Sequence, residues 1–302
     1  MREFQTSDAS FTDASLTKEL VTPLPPRRQI VEYVMNGIAY VFSVLAMVPL
    51  FSVLWEIIFR GASGLRPEMF WKSVTEFGFA NAILGTVTMV AIGSIISIPI
   101  GLMTGIFLSE FSQKNPIANA VRFVTTILTG VPSIVVGIFA YGVFFSLRKG
   151  ILGESFSQFS SYAGGFALAV IMLPIVALTT EEALKLVPKA LRLGSAALGG
   201  NSFQTTFRVV VSAALPAITT GVLLGLARAA GETAPLIFTA LFSLDWVTGL
   251  DQPTASLPVL IYNLYNDPDP QRNALVWTTS LVLVGLVMLV SLISRVVTSK
   301  KG

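Results

Sequence analysis

Residues 85–111, GTVTMVAIGSIISIPIGLMTGIFLSEF, run without a charged side chain until Glu110, near their end. A helix needs about 20 apolar residues to cross the hydrocarbon of a bilayer, so this stretch is long enough to span one. Within it Gly93, Ser97, Gly101 and Gly105 recur at intervals of four. Small residues at that interval share a helix face and let two backbones approach closely where no hydrophobic effect acts between helices. The stretch therefore predicts a membrane-spanning helix with a packing seam.

The rest of the chain agrees with that beginning. Of its 302 residues 53% are hydrophobic and 12% charged, whereas soluble domains carry roughly 25% charged residues. Six stretches are apolar and long enough to span, at about 37–59, 80–108, 121–147, 164–184, 212–240 and 274–297. The expected fold class is all-α: a polytopic membrane protein with six transmembrane helices. The first 30 residues lack the basic, apolar, small-residue order of a cleavable signal peptide and are expected to form a polar cytoplasmic tail, residues 31–302 forming the membrane domain. The chain contains no cysteine and no histidine. Disulfides, thiolate or imidazole metal sites, cysteine nucleophiles and histidine bases are thereby excluded. Pro99, Pro132, Pro174, Pro216 and Pro235 lie within or at the edges of spans. Each removes a backbone donor, so the freed carbonyls need partners in protein or in a wet cavity.

Lysine and arginine orient the spans. With the N-terminus inside, the inner segments hold Arg2, Lys18, Arg27, Arg28, Lys114, Arg122, Lys185, Lys189, Arg192, Arg208, Arg295, Lys300 and Lys301, thirteen cations. The outer segments hold six, Arg60, Arg66, Lys72, Arg148, Lys149 and Arg272. That bias places both termini in the cytoplasm. The longest inner connection, about 186–208, carries a helical pattern through LKLVPKALRLGSAAL that is interrupted by Pro188 and stopped at Gly199-Gly200, after which Asn201 or Ser202 can cap the next helix. A helix, a turn and a second helix on the cytoplasmic face suit either a segment lying on the membrane or a knob for a cytoplasmic partner.

The twentieth cation, Arg228, falls inside the fifth span, in GLARAAGETAPLIFTA (225–240), with Glu232 four residues on. Charged residues at a helix centre in the bilayer cost roughly 2.5–3.5 kcal/mol on insertion scales, so such residues face an interior pathway and have a partner. A self-neutralising helical pair explains little, because Arg before Glu is the weaker order and such pairs contribute only about 0.2–0.5 kcal/mol. Gly221, Gly225 and Ala229 in the same span repeat the packing rhythm.

Several segments carry a family resemblance. RLGSAALGGNSFQTTFRVVVSAALPAI is similar to the cytoplasmic EAA loop of ABC importer permeases, with Gly199 in the place of the loop's glycine. The motif glutamate falls on Leu193, its two alanines on Gly194 and Ser195, and the following proline on Ser212. GTVTMVAIGSIISIPIGLMTGIFLSEF, TGVPSIVVGIFAYG (129–142) and ARAAGETAPLIFTA (227–240) resemble the signature segments of phosphate-specific ABC importer permeases, PstA type. The resemblance implies a type I (MetI-like) permease fold and a multi-pass protein of a bacterial inner membrane. It also implies a PstC-type permease partner, two copies of a PstB-type ATPase and an extracytoplasmic PstS-type phosphate-binding protein, with no role for nucleic acid. Nothing in the chain resembles a P-loop, so no cofactor is expected on it, and ATP and Mg are expected on the partner ATPase. Arg228 would offer donors to phosphate oxygens. Glu232 would hold Arg228 or accept the O–H of protonated phosphate, Thr233 would add a hydroxyl, Gly231 would permit close approach, and Pro132 and Ser133 would line the same path. Leu191, Leu193, Gly194, Ala196, Ala197 and Gly199 would face the ATPase. A permease for another oxyanion, an ion-coupled secondary transporter using Arg228 and Glu232, and an intramembrane enzyme are the alternatives, the last lacking a second mid-span carboxylate.

Overall fold

The computed structural model describes residues 25–111, 115–153 and 157–299, with side chains as far as Leu292 apart from those at 151 and 152. Most of the expected N-terminal tail, Lys114 and the C-terminal lysines lie outside the described residues. Among these no strand occurs, and six helices are long and apolar enough to cross a membrane. They are α1 (Pro26–Gly64), α2 (Ala80–Phe111), α4 (Ser133–Gly150), α5 (Ser161–Lys185), α7 (Ser202–Ala230) and the Pro270–Leu292 part of α10, which runs to Ser299. Shorter helices lie between them: α3 (Pro116–Gly130), α6 (Lys189–Ala197), α8 (Ala234–Thr239) and α9 (Leu257–Leu264).

The chain divides into two compact units, Met1–Trp55 and Glu56–Gly302. The described part of the first is the longer portion of α1, whose Tyr33, Tyr40, Phe42 and Phe51 are all exposed. A helix apolar on every side is suited to lipid or to other membrane helices. In the second unit the close of α1 lies on α10. Gly61 sits against the Trp277 backbone and Leu281, and the Arg60 guanidinium lies 4.8 Å from the centre of the Trp277 ring.

The central pair of that unit is α2 on α5, the most extensive helix contact in the chain. Its seam is the small-residue stripe. Gly93 faces Gly165, Gly101 faces Val176, and Ser97 Oγ lies 3.8 Å from Met172 Sδ. A Cβ added at Gly105 would fall 2.6 Å from the Ala177 carbonyl oxygen, so only glycine allows this approach. The stripe on α7 does the same from another side, Gly221 against Thr179 and Gly225 against Val176. Three apolar clusters follow α2 along its length. One surrounds Phe79, Ala82, Leu257 and Leu275, a second Met89, Leu168, Met172 and Leu236, and a third Ile106, Leu184, Val210 and Ala214.

Three expected boundaries are corrected. The stretch 121–147 is two helices, because Pro132 has no N–H to continue α3 and holds Val131 extended at φ −69°, ψ 128°. The stretch 212–240 is also broken: α7 ends at Ala230, and α8 begins at Ala234 with Pro235 in its first turn. The first helix starts at Pro26, within the expected tail, since proline at the first helical position needs no N–H partner.

Candidate functional site

Arg228 occupies the last turn of α7, and Glu232 lies beyond the end of that helix. The chain turns there through Gly231, whose N–H donates to the Arg228 carbonyl at 3.0 Å, while the Glu232 N–H donates to Ala229 at 3.3 Å. The two side chains therefore meet across a helix end rather than along a continuous helix face. Arg228 Nε donates to Glu232 Oε1 at 3.4 Å, a long contact. The Arg228 side chain is 53% exposed and that of Glu232 15%. Among the described residues no second acceptor holds the guanidinium. Most of its donor fork is thus presented outward from a carboxylate that is itself nearly enclosed.

Gly231 is exposed and Thr233 half-buried, and the Thr233 carbonyl accepts from Leu236 and Ile237 as α8 begins. Residues 228, 231, 232 and 233 thus share one turn. Pro132 and Ser133 stand at the corresponding break between α3 and α4. The two breaks are joined by backbone packing, since a Cβ at Gly137 of α4 would lie 2.6 Å from Pro235 Cα. Both interruptions therefore open onto adjoining helices that pack together, α4 and α8.

The loop 186–208 has the expected shape. α6 ends in a Schellman turn: Gly199, at φ +83°, donates to Ala196 at 3.0 Å, and Gly200 donates to Ser195 at 2.9 Å. Asn201 then caps α7, its side chain accepting from Gln204 N–H at 2.8 Å while Gln204 Oε1 accepts from Asn201 N–H at 3.1 Å. Leu191, Leu193, Gly194, Ala196, Ala197 and Gly199 are all exposed, and α6 buries none of its residues. Leu193, in the place of the motif glutamate, is 71% exposed, so this position offers an apolar contact instead of a carboxylate.

Sequence reasoning missed the ion pairs at the same end of the molecule. Glu181 of α5, almost fully buried, accepts from Arg122 of α3 at 2.6 Å and pairs with Lys185 at 2.6 Å. A carboxylate so enclosed needs such partners, because an unpaired buried charge is strongly destabilising. Glu110, at the end of α2, pairs with Arg192 of α6 at 2.8 Å. Hydrogen bonding to Glu110 holds the Arg192 guanidinium above its ordinary pKa. The spacing of Glu181 and Lys185 signalled the first cluster in part, but nothing local joins residues 110 and 192. At the opposite end, Asn81 Nδ2 donates to the carbonyls of Ser243, Leu244 and Asp245 at 3.3, 3.1 and 3.2 Å, fixing the loop that follows α8. A lone asparagine in an apolar run gave no sign of that role.

Residues 97–301 match the family of binding-protein-dependent transport system inner membrane components. The chain is 37% identical over 277 residues to the phosphate transport system permease protein PstA of Yersinia pestis, covering 88% of this chain and 90% of that one. It is 35% identical over 267 residues to the protein of the same name from Haemophilus influenzae, covering 86% and 91%. Among solved structures, it resembles a chain of the inward-facing MetNI methionine ABC transporter with a TM-score of 0.58 at 21% identity, over 79% of this chain and all of that one. A chain of the bacterial alginate ABC transporter in complex with its alginate-bound periplasmic protein aligns with a TM-score of 0.63 at 13% identity, over 90% and 97%. At those identities the two structures speak for the fold.

Proposed function

The chain belongs to the family of binding-protein-dependent transport system inner membrane components, on the side of the PstA phosphate permeases, and from that premise we propose how it carries its substrate. It is a transport subunit that spans the membrane several times. It forms, with a second permease subunit of PstC type, the path of inorganic phosphate through an ATP-driven importer. ATP and Mg belong to two PstB-type ATPase copies that dock on the 186–208 loop, and a PstS-type binding protein delivers phosphate from outside. Both termini are cytoplasmic, as the distribution of positive charge implies.

The observation that carries the path assignment is the exposure of Arg228. A guanidinium on a membrane-crossing helix, 53% exposed in the single chain, faces lipid or something polar. The cost of placing arginine in hydrocarbon, roughly 2.5–3.5 kcal/mol or more, favours a path or a partner subunit. The planar fork suits two phosphate oxygens at once. Glu232, held at the long distance of 3.4 Å, keeps Arg228 neutralised when the path is empty and yields to the anion as it arrives. Its carboxylate also accepts the O–H of monohydrogen or dihydrogen phosphate, a donor that sulfate lacks. Thr233 and the exposed Gly231 complete the turn around the anion, and Pro132 and Ser133 add the neighbouring wall.

The test is uptake into vesicles reconstituted with this chain, its partner permease, ATPase and binding protein. Labelled phosphate should enter only with ATP, and should persist when the proton gradient and membrane potential are collapsed by ionophores. Uptake that follows the gradient without ATP would make the chain a secondary transporter. Preference for sulfate over phosphate would assign it to another oxyanion.

A further inference from the structure

The α6 helix buries none of its own residues. It leaves α5 through a bend at Val187-Pro188 and joins α7 through the Gly199-Gly200 turn, where Ser195 and Thr205 share a hydroxyl contact of 2.8 Å. A helix hung on two bends would rock when pushed. One side chain opposes this. Arg192 Nε donates to Glu110 Oε2 at 3.2 Å and a terminal nitrogen donates to Glu110 Oε1 at 2.8 Å, a two-pronged contact to the end of α2. The same guanidinium reaches the Leu184 carbonyl at 2.9 Å and the Val187 carbonyl at 2.6 Å. Leu184 lies in the last turn of α5, and its carbonyl accepts from the Val187 N–H at 3.2 Å as well as from Arg192. Arg192 thus binds three segments at once: the end of α2, the end of α5 and the bend before Pro188.

From this arrangement we infer that Arg192 is a positioning residue of the transport cycle, tethering the exposed α6 helix to the α2–α5 pair so that displacement of α6 moves that pair instead of being lost in the Pro188 bend. The inference rests on the reading of 186–208 as the ATPase-docking loop. Solvent-exposed ion pairs contribute little, but this one is largely enclosed, with the Glu110 side chain 9% and that of Arg192 26% exposed, and it has two-pronged geometry. The contact joins residues 82 apart in sequence, across the joint through which force must pass. Glu110 is further oriented by Ser109, whose hydroxyl donates to Oε1 at 2.9 Å.

The experiment measures phosphate transported per ATP hydrolysed by the reconstituted assembly. Arg192→Met, which keeps the apolar stem, should still co-purify with the ATPase and hydrolyse ATP, while the yield of phosphate per ATP falls about tenfold. Glu110→Gln should lower the yield in the same sense, and the double variant should be no worse than Arg192→Met alone, since the two residues act through one contact. The chain has no native cysteine, so Glu110→Cys/Arg192→Cys can be joined by a short bifunctional thiol reagent, and joining should restore the yield. An unchanged yield in Arg192→Met, or no recovery on joining, would overturn the tether while leaving the transport reading intact. Loss of ATPase co-purification in both Arg192→Met and Glu110→Gln would make the contact one of folding or docking and would also overturn it. Absence of ATP-driven uptake in the unaltered assembly would remove the transport reading and the tether together.

Discussion

A guanidinium differs from an ammonium in shape more than in charge, and at Arg228 that difference is open to measurement. Its Nε is turned toward Glu232 at 3.4 Å, and on the proposed reading its terminal nitrogens take the anion. In Arg228→Lys a compact ammonium replaces the fork, so phosphate uptake should stay close to background although the charge is kept. Glu232→Gln separates the two roles of the carboxylate. If it accepts the phosphate O–H, uptake should fall and the discrimination against sulfate should narrow; if it only orients Arg228, uptake should fall with discrimination intact. Labelled phosphate and sulfate uptake, measured side by side, distinguish the two. This pair was legible in the sequence because two charges inside an apolar run demand an explanation. The contact of Arg192 with Glu110 was not, because Glu110 stands at the end of a span and Arg192 in a connecting segment, both places where a charge is ordinary, and nothing local joins the two.

Elements end where local chemistry ends them, and two ends here support specific expectations. Gly199 sits at φ +83°, where a β-branched side chain is strained. Gly199→Val should cost roughly 1–2 kcal/mol locally, loosen the turn after α6 and reduce recovery of the ATPase in co-purification. Within the bundle, Gly105→Leu would drive a side chain into the Ala177 carbonyl and Thr180. Overpacking of that kind costs about 1–3 kcal/mol, so the purified protein should melt at a lower temperature, while Gly142→Ala, with open space around it inside α4, should not lower the melting point. The glycine stripe and the Gly199-Gly200-Asn201 stop could be read in advance because each is written as a local pattern, an interval of four in one case and a turn with its cap in the other. The breaks after Gly130 and Ala230 could not, since an average of hydropathy runs smoothly across a proline or glycine that interrupts the helix.

For the whole molecule, spans and their number follow from composition, but which surfaces face a partner, a path or lipid depends on chains that assemble around this one. Orientation is the first property to check at this scale. Reporters fused after Lys189 should be cytoplasmic and those after Gly64 or Gln252 external; an external signal at Lys189 would contradict docking of the 186–208 loop on an ATPase. The same assembly gives the most direct test of the path through Arg228. Arg228→Ala removes charge-assisted donors without disturbing the buried faces of α7, so the complex should form with all its subunits. Hydrogen bonds to a charged group contribute about 1.5–3 kcal/mol, and phosphate uptake should accordingly fall at least about tenfold. The measurement is ATP-driven uptake of labelled phosphate by vesicles containing the fully assembled Arg228→Ala complex: near-background uptake is the predicted result, and uptake at the unaltered rate would contradict the account.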